Sequence, residues 1–406
     1  MRIMLVTLTL IATTMLAGCN SEPPVEPADL IFAGGAIFTS DPEQPNASAV
    51  AVRGERIIYV GDDAGIKSFI GPETRKIDIG DGLLISGLMD SHTHVFTGSF
   101  SDVGVNLSLA DTREKLQVAL EAIRDANPGT GPVYARGWQN HLFPKTGPTA
   151  QQLDEIFGDR IVILSSVDGH SRWFSSRALR EGGVDANYPD PHPGVSFFER
   201  DPLTNEPLGT GREKAGAHIT ATFIPGDKSA YQERFVRWLP RAAAAGLTGV
   251  YDAWAAAPSE QEAYEIWHSI SESGELSLRI FGSVRETDSA DLIANRFKKF
   301  EQNFSSEMVR PEAIKLAVDG VPEGHTAFLL TPYVDSTNED FGQPMISKEN
   351  LTANVTTYFS RDIPIHIHAI GGAAVRMSLD AIESARATTG NESVRATIAH
   401  LSLIHI

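Results

Sequence analysis

From Asp29 to Ile79 apolar and polar positions alternate with period two in short runs. "DLIFAGGAIFT", "SAVAVRGERIIYVG" and "TRKIDIG" are punctuated by Gly-Gly, Arg-Gly and Gly-Asp. That spacing predicts short strands joined by turns, packed over residues 29–82 as the N-terminal part of a small β-sandwich or open barrel. Past "GLLISGLMD" the texture changes, and apolar runs alternate with stretches of helical spacing. This is the pattern of a parallel α/β architecture. The predicted strands are "LLISGLMDSH", "GLTGVYDAW", "LSLRIFGSV", "AIKLAVDGV", "IPIHIHAIG" and "RATIAHLSLI". Predicted helices include "SAYQERFVRWLPRAAAA", "SEQEAYEIWHSISESG" and "GAAVRMSLDAIESARATTG", the last stopped by a glycine.

Between the first two of these strands lie residues 100 to 230, far longer than an ordinary βα connection. The stretch has elements of its own, "PVYARGW" and "RIVILSS", and a turn-rich "NYPDPHPG". It reads as an inserted subdomain over the C-terminal strand ends. The whole chain of 406 residues can bury a large core. Its formal net charge of −18 argues against a nucleic-acid partner, which would need clustered Lys and Arg. No 20–50-residue period is visible, so a repeat solenoid is not expected.

The first twenty residues, "MRIMLVTLTLIATTMLAGCN", have one early Arg, an apolar stretch and small residues before Cys19. These are the parts of a signal peptide over residues 1–19. "LAGC" resembles the lipobox of bacterial lipoproteins, which implies a lipid anchor at Cys19; an ordinary cleaved secretory signal is the alternative. Cys19 is the one cysteine in the chain, so no internal disulfide forms. Residues 20–28 read as a Pro-rich tether, and Asn20 leans towards the periplasmic side of an outer membrane in the cell envelope.

His92 and His94 close an apolar strand two residues apart, so both side chains leave one face. Neutral imidazoles so placed can share a transition metal. With 12 His in the chain, chance supplies about one-third of an H-x-H, so one pair is weak. A second pair, His366 and His368, closes another strand, and His400 closes the next. Lys315 lies inside "AIKLAVDG", where an unpaired ammonium is costly; it could instead pair with Asp319 or Glu323.

"GLMDSHTH", "VDGHSRWFSSRAL", "IKLAVDGV…EGHTAFLLTPY", "HIHAIGGAAV" and "ATIAHLSLI" resemble the amidohydrolase superfamily. More narrowly they resemble amidohydrolase family 3, the YtcJ-like or N-substituted formamide deformylase-like proteins. The resemblance implies an α/β fold, a distorted TIM (β/α)8 barrel, with a metal centre at the strand ends. It implies that His92, His94, Lys315, His368 and His400 are ligands of zinc or another divalent metal. Two ions would be bridged by a carbamylated Lys315, and Lys315, His368 and His400 would serve the chemistry. His366 is assigned to packing or support of a ligand. His170 either contacts substrate or is structural, Trp138 is a pocket wall or a packing residue, and Asp319 and His325 are placed along the pocket.

The same resemblance implies an eighth-strand Asp as proton carrier, and only about six barrel strands are read before the sequence stops at Ile406. An incomplete reading frame and a truncated product both account for that. Gly372 stands where relatives carry Asp, and Ala399 where many carry Glu, departures that bear on substrate. The expected activity is metal-dependent hydrolysis of a non-peptide carbon–nitrogen bond in a small amide or formamide, with a homodimer as the expected assembly. The alternative is a catalytically inactive surface lipoprotein that binds a small molecule or a metal.

Overall fold

The computed structural model describes residues 26–99, 105–224, 226–255, 259–336 and 339–401; the signal segment and Cys19 lie outside them. The chain divides into two compact units, one ending at Gly87 and one starting at Leu88.

The first unit holds β1 (Leu30–Phe38), β2 (Asn46–Arg53), β3 (Arg56–Gly61), β4 (Arg75–Asp78) and β5 (Leu83–Leu84). Its single sheet runs β3-β2-β1-β4, with β5 also paired to β1. The second sheet of a sandwich is not among the described residues. The predicted Arg-Gly turn joins β2 to β3: Gly54 has φ +55, and its amide donates to Asp29 Oδ2 at 2.6 Å. Ala28, Ile31, Ala49, Ala51 and Ile66 form a small core. Because β5 pairs with β1, the sheet extends past residue 82.

The second unit starts with β6 (Leu88–Thr93). The predicted insertion follows as β7 (Val105–Asn106), β8 (Val133–Trp138), β9 (Val162–Ser166), β10 (Ser171–Phe174), β11 (Phe198–Arg200) and β12 (Pro207–Arg212). These strands form a separate sheet in the order β11-β12-β10-β9-β8-β7. One face buries Leu116, Leu120, Trp138, Leu153 and Trp173; the other buries Ile163, Phe174, Leu179, Phe198 and Ile219.

The chain then returns with β13 (Leu247–Asp252), β14 (Arg279–Arg285), β15 (Val309–Ala317), β16 (Ile365–His368) and β17 (Ala396–Ala399). Together with β6 they make a six-stranded sheet, each strand parallel to its neighbours and in chain order. All six coincide with the predicted strands. Helices Lys228–Ala244, Glu260–Glu272 and Gly372–Thr389 fall where helical spacing placed them. Gly390 ends the last in the left-handed region at φ +67, as a residue without Cβ can.

Strand alternation sorts this sheet into two faces. Val250, Ile280, Ile314, Leu316, Ile365 and Ile367 meet Phe235, Trp267, Phe297, Val355 and Phe359 of the helices in one large core. Each such side chain contributes about 1.5–3 kcal/mol by leaving water. In a flat sheet the first and sixth strands would lie about 24 Å apart. Yet the ring of His92 on β6 is 4.7 Å from that of His400, just after β17. The sheet is therefore curled into a half-barrel, with its polar face inside. No helix among the described residues is long and apolar enough to cross a membrane.

Candidate metal centre

The inner face of the half-barrel gathers the histidines. On β16, Ile365 and Ile367 point to the helices, so alternation turns His366 and His368 inward. On β15 the same rule places Lys315 inside, between the outward Ile314 and Leu316. His92 comes from the end of β6, with His94 just beyond it. His400 follows β17 with φ +73, a left-handed backbone that is uncommon outside glycine.

The rings of His92 lie 5.6 Å from His94, 5.0 Å from His366 and 4.7 Å from His400, and His368 is 4.5 Å from His400. Nδ1 of His92 faces Nε2 of His366 at 3.0 Å. Nε2 of His368 is 3.3 Å from the Gly320 carbonyl. All five predicted ligands are thus brought together, and Lys315 is close enough to act on each imidazole electrostatically.

The imidazoles are held uncharged. Burial, then the charge of Lys315, lowers His92 to about 3, His94 to about 4, His366 to about 3 and His400 to about 4. Burial, then crowding by His400, lowers His368 to about 2. Burial alone lowers the Lys315 amine to about 7. Neutral imidazoles are donors that a borderline divalent ion takes. Nε2 of His92 is buried with no hydrogen-bond partner, as expected of a ligating nitrogen. As the side chains stand, no three His, Cys, Asp or Glu among the described residues are set to hold an ion. The donors suit a metal in kind, and ring reorientation would have to close the site.

Several residues fix these elements. Asp319, 1% exposed, accepts from the amides of Ile370 at 3.0 Å, Phe328 at 2.9 Å and Gly371 at 2.8 Å. It thereby pins the turn after His368 to the segment after β15, which is a holding role more than a pocket-lining one. Burial pushes its carboxyl up to about 6 despite those three bonds. Gly371 is required there, since a Cβ would collide with the Phe328 carbonyl. Asp252, fully buried at the end of β13, accepts from Val95 N at 3.1 Å and Trp254 N at 2.9 Å. It secures the chain next to His94, and burial raises it to about 7. Composition and spacing did not single it out, although an Asp inside the apolar run "GVYDAW" is as anomalous as Lys315.

His170 of the insertion reaches the cluster, its ring 5.7 Å from His368. Its Nδ1 is 2.7 Å from Glu213 Oε2, a partner that sequence reading missed. Burial pulls the His170 imidazole down, but the hydrogen bond and charge of Glu213 outweigh it, and the net shift is upward. His325 stacks on Tyr333 at 4.2 Å and pairs with Asp335 at 3.0 Å, in the segment after β15. Trp138 departs from the pocket-wall assignment: it is 0% exposed in the insertion's core, its Nε1 donating to the Leu164 carbonyl at 3.2 Å. It packs because its odd-numbered β8 neighbours Val133 and Ala135 belong to that core, and the bulge at Gly137 brings Trp138 to the same face. Below the histidines, the trough of the open sheet encloses about 830 Å³ between His92, His366 and His400 and the strand starts at Arg310, Glu312 and Arg395.

Comparison with known proteins gives the family and the fold. The profile of the amidohydrolase family Amidohydro_3 matches residues 75–405. Protein LONG AFTER FAR-RED 3 of Arabidopsis thaliana is 28% identical over 92% of this chain and 64% of its own length. N-substituted formamide deformylase of Arthrobacter pascens is 25% identical over 90% of this chain and 68% of its own. The chain thus spans about two thirds of the length of these relatives. A solved metal-dependent hydrolase of Pyrococcus horikoshii, described as uncharacterized, superposes with a TM-score of 0.63 at 21% identity, over 87% of this chain and 68% of that one. It shares the barrel fold in which the half-barrel of β6 and β13–β17 finds its place. On the match of its sequence from residue 75 to 405, the chain belongs to the Amidohydro_3 amidohydrolase family.

Proposed function

We propose that this protein is a metal-dependent hydrolase acting on a non-peptide carbon–nitrogen bond in a small amide or formamide. The observation that carries the reading is the convergence of four neutral imidazoles, His92, His94, His368 and His400, around the buried amine of Lys315. These five residues would hold the divalent metal, zinc by the chemistry of the donors. So held, a divalent ion supplies a hydrolytic nucleophile from water at neutral pH and polarises a carbonyl. A Lys315 amine lowered to about 7 is about half unprotonated at neutral pH, and the unprotonated amine is the form that carbamylation requires. His366 orients His92 through the 3.0 Å ring contact, and Asp319 and Asp252 fix the backbone beside His368 and His94. The formamide preference rests on the relative from Arthrobacter pascens.

The test is metal analysis of the purified chain together with hydrolysis of N-alkyl formamides and acetamides, with His92→Ala beside it. Bound zinc and turnover that both vanish in His92→Ala support the reading; zinc-independent turnover, or none with zinc fully bound, sinks it. We place the protein at the bacterial cell envelope through a lipid on Cys19, on the strength of "LAGC". Cys19→Ser is then expected to move it from the membrane to the soluble fraction.

A further inference from the structure

The insertion carries a sealed donor without an acceptor close to His170, on a guanidinium within electrostatic reach of Glu213 and Tyr134. His170 and Arg172 are two residues apart at the start of β10, so their side chains leave the same face. Ser171 and Trp173 leave the other: Ser171 Oγ accepts from Arg212 at 3.0 Å, and Trp173 packs in the insertion's core. Strand register sets Arg172 opposite Ser165 of β9. Nε of Arg172 is sealed from solvent and has no hydrogen-bond partner. The nearby carboxylate is already engaged. Glu213 Oε2 meets His170 Nδ1 at 2.7 Å, and its Oε1 accepts the Thr326 hydroxyl at 2.8 Å.

A guanidinium carries five donors in a planar fork that matches a carboxylate. Keeping its Nε from solvent without an acceptor is costly, and an incoming anion removes that cost. With Nδ1 of His170 committed to Glu213, its Nε2 edge is the one left for a ligand. The two side chains arise about 7 Å apart along the strand, and the His170 ring is 5.7 Å from His368. A molecule of a few heavy atoms can therefore touch Arg172 at one end and the cluster at the other.

We propose that Arg172 and His170 form an anion subsite at the insertion side of the histidine cluster, and that the amide this enzyme takes carries a carboxylate. This rests on the hydrolase reading for the bond cleaved, but not for the binding itself. Charge-assisted, bidentate recognition discriminates strongly between an ion and its neutral isostere.

The experiment is calorimetric titration of the full chain, with and without zinc, using N-formylglycine and its neutral analogue N-formylglycinamide. The expected result is binding of N-formylglycine at least about tenfold tighter, with Arg172→Gln bringing the two ligands level. Equal affinities in the wild type, no binding of either ligand, or a preference that survives Arg172→Gln overturns the subsite. Should Arg172→Gln fail to fold, Arg172→Lys decides: it keeps the charge without the fork, so a reduced preference is expected and an undiminished one overturns the proposal. Hydrolysis of neutral amides without carboxylate preference defeats this inference alone. Carboxylate preference in a protein that hydrolyses nothing defeats the hydrolase reading alone.

Discussion

Nδ1 of His92 and Nε2 of His366 stand 3.0 Å apart, bridging the first and fifth strands of the half-barrel. If His92 supplies the proton, its orphaned Nε2 is a lone pair facing the cluster, the tautomer a ligand needs. Replacing His366 with Phe keeps a ring against Tyr251, now stacked at 4.6 Å, but removes the acceptor. Zinc affinity is expected to fall about 10–100-fold, the usual effect of losing such support. Competition with a chromophoric chelator reads this directly, and an unchanged affinity would contradict the role given to His366.

Lys315 is the residue whose burial makes least sense without a ligand. The residue is 3% exposed, and desolvation lowers its amine to about 7. Lys315→Met keeps the length and removes the polar end. The metal-free variant is expected to be at least as stable as the wild type, by up to about 1 kcal/mol, because no amine is desolvated. Its zinc binding should be lost. Denaturation of both apoproteins in urea and a zinc titration test the two halves, and a clear loss of apo stability would show that Lys315 has a structural partner.

The imidazoles give the metal-free protein a pH dependence of definite sign. His366, lowered to about 3, stays neutral in the folded state while the unfolded chain takes up a proton near 6.5. Stability from this group is complete above about 6.5 and is lost as pH falls towards 3. His92, His94, His368 and His400 are shifted the same way. Asp252 and Asp319, raised to about 7 and 6, oppose them, losing stability as pH rises from about 4. The comparison that isolates the histidines is wild type against His366→Gln, melted in EDTA from pH 4 to 7. The variant's melting temperature should depend less steeply on pH, by about one proton's worth, and parallel curves would refute the assignment.

Asp319 ties three amides from two segments to one carboxylate. In Asp319→Ala, three N–H groups, one buried and two partly so, lose their acceptor at once. At about 1–3 kcal/mol each, less what water recovers, a loss of at least about 3 kcal/mol is expected in chemical denaturation. A change below about 1 kcal/mol would mean that Phe328, Ile370 and Gly371 find other acceptors.

The half-barrel was legible because its strands are buried on the helix side and carry polar side chains inward. Lys315, or His366 and His368, set at alternate positions of an apolar run, would be costly against the apolar helices, so they mark the inner face. The insertion was legible only as strands, and their order was not. Pairing β10 with β12 rather than with β11 depends on register between segments that carry no periodic mark. Glu213 lies 43 residues from His170 and holds it from a turn at φ 51, so no local spacing announces the pair. Trp138 was ambiguous because a bulge shifts it to the face of its neighbours Val133 and Ala135, and a bulge leaves no pattern in a six-residue strand.

His92 and His366 are 274 positions apart in the chain, and His400 lies further on still. The curl of the sheet brings them to one point only after β13, β14, β15, β16 and β17 have been laid down in turn. During synthesis, at about 5–20 residues per second, the first histidine pair leaves the ribosome well over ten seconds before His400. Throughout that interval the chain can offer a passing ion two ligands and no more than a partial cage. On the ligand set proposed above, full-strength capture of metal would be postponed until the last described strand has docked, so the moment of metal uptake would report the maturity of a nascent chain.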